Sequence, residues 1–187
     1  MLPTSEFRNG LTIRMDGELW SIAEFQHVKP GKGGAFVRTR LKNVKTGRVI
    51  DRTYRSGEKV DDVRLEKKVF QYLYHDDSGF VFMDNTSYEQ ISISEDNIGD
   101  ASKYITEGMD AEISFDGTDP IGVEPPMFVE LEITKSDPGL KGDTASGGTK
   151  PATLETGYTI QVPLFVQEGE IVKVDTRSGE YVERVKG

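Results

Sequence analysis

The sequence predicts an all-β protein built from three small barrels. Short runs alternate apolar and polar residues with a period of two, Asp-Gly, Thr-Gly and Ser-Gly pairs punctuate them, and helical periodicity is confined to one stretch. By this punctuation the 187 residues divide into 1–64, 65–127 and 128–187, each near the lower size limit for a self-sufficient core.

In the first unit, residues 11–15 and 18–25 flank Asp16-Gly17, a two-residue hairpin signal. A second hairpin carries Lys29, Pro30, Gly31, Lys32, Gly33 and Gly34 at its end. Pro30 presets φ for the second position of a turn and Gly31 accepts positive φ at the third, so residues 29–32 read as a type II turn with Lys32 at the tip. Gly33 and Gly34 put no side chain beside it, which lets the tip enter a narrow site. Residues 36–42 then alternate so that Arg38, Arg40 and Lys42 share one face while Val37, Thr39 and Leu41 share the other. After Thr46-Gly47, residues 48–55 return as the next strand and end before Ser56-Gly57.

The second unit opens with a hairpin, 69–74 and 80–83, joined through Asp76-Asp77-Ser78-Gly79. A helix follows: Ser94 caps it, Glu95 and Asp96 suit its first turn, Ile98, Ala101, Tyr104 and Ile105 form one buried face, and Gly108 ends it. Asp116-Gly117 marks another hairpin, and Pro125-Pro126 breaks the chain before a new alternation at 127–133. In the third unit, residues 136–149 hold Gly139, Gly142, Gly147 and Gly148 and read as a loop kept for function or motion. Strands resume at 158–166, 171–175 and, after Thr176-Arg177-Ser178-Gly179, at 180–185.

The net charge of −9 argues against a nucleic-acid partner only as an average. Residues 1–64 hold 13 basic and 8 acidic side chains, whereas residues 65–187 hold 10 and 24. Within 29–55, nine basic residues meet one acid, Asp51, so a basic patch surrounds the Lys32 loop. The absence of cysteine removes disulfides, thiolate nucleophiles and sulfur-based zinc sites. With no apolar signal core or membrane-length stretch, the chain reads as a soluble cytoplasmic protein with no membrane partner.

Enzyme motifs are lacking. No Gly-x-Ser-x-Gly or His-Glu-x-x-His occurs, and Gly31-Lys32 is followed by Gly33 where a phosphate loop needs Ser or Thr. His27 and His75 are too few for a triad or a histidine metal site, and the pairs Asp61-Asp62 and Asp76-Asp77 sit in polar, turn-like stretches. The expectation is a binding protein with no catalytic residues, metal or cofactor. A tip lysine can contact phosphates, occupy a pocket near RNA, or be lengthened by covalent modification.

Four segments carry a family resemblance: Lys29-Pro-Gly-Lys-Gly-Gly-Ala-Phe-Val-Arg, Asp137-Pro-Gly-Leu-Lys-Gly-Asp-Thr-Ala, Lys150-Pro-Ala-Thr-Leu-Glu-Thr-Gly, and Val162-Pro-Leu-Phe-Val with Lys173-Val-Asp-Thr-Arg-Ser-Gly-Glu-Tyr. Together they resemble bacterial translation elongation factor P, in the family's order, from about residue 6 to the end. The family is related to the hypusine-containing translation factor 5A of eukaryotes and archaea. The resemblance implies an N-terminal barrel of the KOW or SH3-like kind and two OB-fold barrels, arranged as an L about the size of tRNA, with the one short helix in the middle domain. It implies a monomer that binds both ribosomal subunits between the peptidyl and exit tRNA sites, promotes peptide-bond formation and relieves stalling at consecutive prolines.

On this reading Lys32 points at the peptidyl transferase centre beside the peptidyl-tRNA, and a dedicated enzyme can extend it; a lysine there excludes the arginine-directed sugar modification of some members. Arg38, Arg40 and Lys42 supply sequence-independent RNA phosphate contacts. Gly142, Asp143 and Thr144 lie near the exit-site codon, and Tyr181 and Arg184 face the small subunit. The alternative is a KOW or OB-fold protein that binds RNA away from the ribosome; a hydrolase using the paired acids lacks motifs.

Overall fold

The computed structural model describes residues 1–138 and 148–186, and the chain forms two compact units, Met1–Lys67 with Ser114–Gly122 and Lys68–Ile113 with Val123–Gly187. Its described residues form three curled sheets, so the all-β expectation holds.

The first sheet contains β1 (Leu2–Pro3), β2 (Thr12–Met15), β3 (Glu18–Val28), β4 (Phe36–Asn43), β5 (Val49–Arg55) and β6 (Lys59–Asp62), in the order β1-β6-β2-β3-β4-β5. Asp16 and Gly17 both take positive φ, 53° and 77°, as the β2–β3 hairpin demands of a two-residue connection. Trp20, Ile22, Val37 and Leu41 alternate inward and meet Phe7, Ile13, Tyr54 and Val60 in one core. Asn43 is buried and its Oδ1 accepts from the Lys45 and Thr46 amides, both at 3.0 Å, which fixes the turn into β5. The same compact unit takes in the turn after residue 114, where Arg14 Nη2 lies 2.8 Å from Asp116 Oδ2.

The second sheet contains β7 (Glu66–Asp76), β8 (Gly79–Asp84), β9 (Gln90–Ile93), β10 (Asp110–Asp116) and β11 (Asp119–Glu124), in the order β11-β10-β7-β8-β9. The expected short helix of the middle unit is present, but it is shorter than the stretch from Ser94 to Gly108. One α-helical turn, α1 (Glu95–Ile98), passes into a 3-10 segment, Gly99–Lys103. Gly99 sits at φ 60°, a left-handed value that ends the α-helix, and Ser94 caps through its carbonyl, accepting from Asn97 and Ile98 at 3.0 Å, rather than through its hydroxyl. The predicted apolar face survives, because Ile98, Ala101, Tyr104 and Ile105 are all buried.

The third sheet contains β12 (Phe128–Ser136), β13 (Thr149–Leu154), β14 (Thr159–Pro163), β15 (Ile171–Asp175) and β16 (Glu180–Arg184), in the order β14-β13-β12-β15-β16. Its core runs through Leu131, Ile133, Leu154, Val162, Val172 and Val174, and Tyr104 joins it. Sequence periodicity misses β13. A lysine stands at one of its inward positions, and Pro151 lies inside it. Lys150 is 7% exposed, and its Nζ donates to the Asp137 carbonyl at 2.7 Å, so a charged residue occupies a site that alternation reserves for an apolar one. β14 is also shorter than the 158–166 run: Val166 leaves the strand and donates its amide to the Pro163 carbonyl at 3.1 Å, keeping its side chain buried.

Candidate nucleic-acid interface

β3 runs for 11 residues, about 35 Å of extended chain, and it and β4 are in register to the last pair, Val28 and Phe36. Everything from Lys29 to Ala35 is therefore loop. The predicted type II turn is corrected here. Gly31 does not adopt positive φ; Gly33 does, at 105°. The physical reason is length: a seven-residue connection spreads the chain reversal, whereas a type II turn concentrates it on two central residues. Residues 29–34 are all exposed, and among the described residues none of them makes a backbone hydrogen bond within the loop. The first outside tie is the Ser56 amide donating to the Ala35 carbonyl at 3.0 Å. Neither Lys29 nor Lys32 pairs with an acid among the described residues, so the tip presents an unneutralised cation on a bare backbone.

Behind the tip, β4 alternates as its sequence requires. Val37, Thr39 and Leu41 are buried and Arg38, Arg40 and Lys42 are exposed. The three cations are not equivalent. Arg40 Nε lies 3.2 Å from Asp51 Oδ1 and its Nη1 lies 3.8 Å from Glu24 Oε2. The hydrogen bond that Arg40 donates to Asp51, helped by the charges of Asp51 and Glu24, holds the guanidinium above the ordinary arginine pKa. Arg38 lies 5.5 Å over the Phe36 ring. Periodicity finds these side chains but not their neighbours: Glu24, Asp51 and Arg52 from flanking strands complete a groove of about 460 Å³. Only the register shows that Glu24 and Asp51 stand opposite Arg40.

On the third sheet, Tyr181 is half-buried against the core and Arg184 is exposed, 3.5 Å from Glu170 and 4.7 Å over the ring of Phe165. The expected contacts Gly142, Asp143 and Thr144 lie outside the described residues. His27 stacks edge-on against Phe25 at 5.7 Å, while His75 lies flat on Phe80 at 4.1 Å and pairs with Glu95. No group of metal-ligating side chains is found among the described residues, and no helix there is long and apolar enough to cross a membrane.

Known proteins are similar in sequence along nearly the whole chain. Residues 3–60 match the "Elongation factor P (EF-P) KOW-like domain", residues 65–123 the "Elongation factor P (EF-P) OB domain", and residues 129–184 "Elongation factor P, C-terminal". Elongation factor P of Natranaerobius thermophilus is 52% identical over 187 residues, covering all of both chains. That of Mycobacterium avium is 52% identical over 185 residues, covering 99% of each. Among solved structures, eukaryotic translation initiation factor 5A from Methanococcus jannaschii superposes with a TM-score of 0.52 at 20% identity, over 66% of this chain and 90% of the other, which shows a shared fold. The chain belongs to the elongation factor P family of translation elongation factors.

Proposed function

We propose that this elongation factor binds the ribosome between the peptidyl and exit tRNA sites and promotes peptide-bond formation, relieving stalling at consecutive prolines. One observation carries the reading: an exposed lysine, free of acid partners among the described residues, at the end of a glycine-rich loop projected by two long paired strands. Such a tip reaches into a narrow RNA-walled site, where a flexible point charge contacts phosphate or a carbonyl without a fixed geometry.

The chemistry belongs to the ribosome. Proline is a constrained participant in peptide-bond formation, and a factor that holds the peptidyl-tRNA in a reactive orientation lowers the entropic part of that barrier without donating a catalytic group. Arg38 and Lys42 meet RNA phosphates behind the tip, and Arg40, already paired with Asp51, contributes less. Tyr181 and Arg184 face the small subunit, and Gly142, Asp143 and Thr144 approach the exit-site codon. The three domains at 1–64, 65–127 and 128–187 divide these contacts. Lys32 Nζ is accessible to a modifying enzyme, and an extension there lengthens its reach.

The test is Lys32→Ala in reconstituted translation of a polyproline message. The variant is expected to lose relief of stalling while its melting temperature stays within about 1 °C, since the side chain is exposed. Full relief by the variant would refute the role of the tip, and peptide mass mapping across Lys32 reads its modification directly.

A further inference from the structure

Two sequence motifs far apart in the chain, Val162-Pro-Leu-Phe-Val and the Gly-Glu-Tyr run ending at Tyr181, meet around one groove of about 500 Å³ on the third sheet. Its lining includes Phe165, Gly169, Ile171, Tyr181, Arg184 and Lys186. Phe165 has no place in the core. It follows β14 and leaves the strand with 55% of its surface exposed, while Val166, its neighbour, is fully buried. Ile171 lines the same groove with 45% of its surface exposed, so two large apolar side chains lie open on one face.

The ring is also not idle. The Arg184 guanidinium lies 4.7 Å over it, and Glu170 at 3.5 Å holds Arg184 in that position. Gly169, at φ 85°, keeps the neighbouring backbone free of side chain. Lys186 adds a second cation at the rim.

We propose that this groove binds an unpaired RNA base, stacked on Phe165 with its phosphate against Arg184 and Lys186. The proposal rests on the ribosome-binding reading and names the ligand of its small-subunit side. The volume suits one nucleotide. A flat aromatic surface backed by a guanidinium is the platform on which single-stranded bases stack irrespective of sequence. The charges select the occupant: with Arg184 paired to Glu170, Lys186 leaves one net positive charge at the groove, which favours a phosphate and opposes a basic peptide, although residues 128–187 as a whole carry 7 basic and 10 acidic side chains. A protein partner is the competing outcome.

The experiment uses the full-length protein with stalled ribosomes carrying peptidyl-tRNA, comparing wild type, Phe165→Ala and Phe165→Tyr. Chemical probing of Watson–Crick edges reads the small-subunit RNA, and equilibrium binding reads affinity. Wild type and Phe165→Tyr are expected to protect the same unpaired base, and Phe165→Ala to expose it with about a tenfold loss of affinity. Thermal melting confirms that each variant is folded. An unchanged footprint and affinity in Phe165→Ala overturns the stacking site, as does a photo-crosslink from position 165 to protein instead of RNA. A wild-type protein that leaves no footprint on either subunit overturns the functional reading, and this inference with it.

Discussion

Two hairpin ends, each holding a glycine at positive φ, are built in opposite ways. The β7–β8 end pins everything. Asp76 Oδ1 accepts the Ser78 amide at 2.8 Å, Asp76 and Gly79 close the ladder, and a Cβ on Gly79, at φ 118°, would collide with the Ile93 carbonyl. The β3–β4 end pins nothing. Gly33, at φ 105°, has only Pro30 Cγ within reach, at 4.0 Å, and Gly31 and Gly34 have no neighbour within 4 Å. One glycine is there because the fold has no room, the other because the fold has left room. Close packing fixes the first glycine, whereas only its own positive φ fixes the second.

The largest expected effect separates these two cases. Gly79→Ala meets backbone on one side and an unfavourable φ on the other, and is expected to cost about 2–5 kcal/mol. Gly33→Ala meets the same φ penalty, but among the described residues no backbone hydrogen bond holds residues 29–34 in the strained conformation, so the loop relaxes and the expected cost is about 1 kcal/mol or less. Thermal unfolding of both variants checks the pair. Equal losses would mean the tip is as fixed as the turn, and the comparison would fail.

How much of this was legible in the sequence follows from the same physics. Alternation exposes whatever depends on one strand alone, which is why Arg38, Arg40 and Lys42 are found on one face and Val37 and Leu41 on the other. It fails where a second segment decides. Lys150 hides β13 because its charge is answered by a carbonyl at Asp137, thirteen residues away. Phe165 reads as the end of an apolar run, and only the chain's departure from β14 at Pro163 turns it outward. The pairing that tempers Arg40 depends on register with β3 and β5. At the tip, Pro30 and Gly31 spell a type II turn locally, but the last strand pair, Val28 with Phe36, sets a longer loop. The helix was legible as a buried face and not as a length, because Gly99 can belong to a helix until its φ is known.

A smaller effect is expected with pH, and of the two hairpin ends only the pinned one contributes to it. The Ser78 hydroxyl and then the Ser78 amide hold the Asp76 carboxyl below the ordinary carboxylate pKa. The folded value lies below the unfolded one, so the contribution to stability is complete above about pH 4 and disappears as pH falls through the depressed value. Asp84 and Asp175 are lowered in the same sense, by the Thr86 amide and the Arg177 side chain respectively. Melting temperature is therefore expected to fall more gently below pH 4 in Asp76→Asn than in wild type. The loop 29–35 has no carboxylate and no part in this profile. Parallel profiles for the two proteins would show that Ser78 does not favour the ionised form.

The smallest expected effect on stability is also the sharpest test of what the tip is for. At Gly31 the φ is not left-handed and no atom lies within 4 Å of an added Cβ, so Gly31→Ala is expected to change stability by no more than about 0.5 kcal/mol. Its methyl group would stand beside Lys32, on the exposed tip of the loop. If the bare backbone serves entry into a confined site and the basic face of β4 carries ribosome affinity, polyproline relief falls in Gly31→Ala while that affinity stays close to wild type. The inverse pattern is expected at the other hairpin: Gly79→Ala loses stability, and the fraction that stays folded relieves stalling normally. A Gly31→Ala protein that relieves stalling at the wild-type rate would show that Lys32 needs reach alone, with no narrow passage around it.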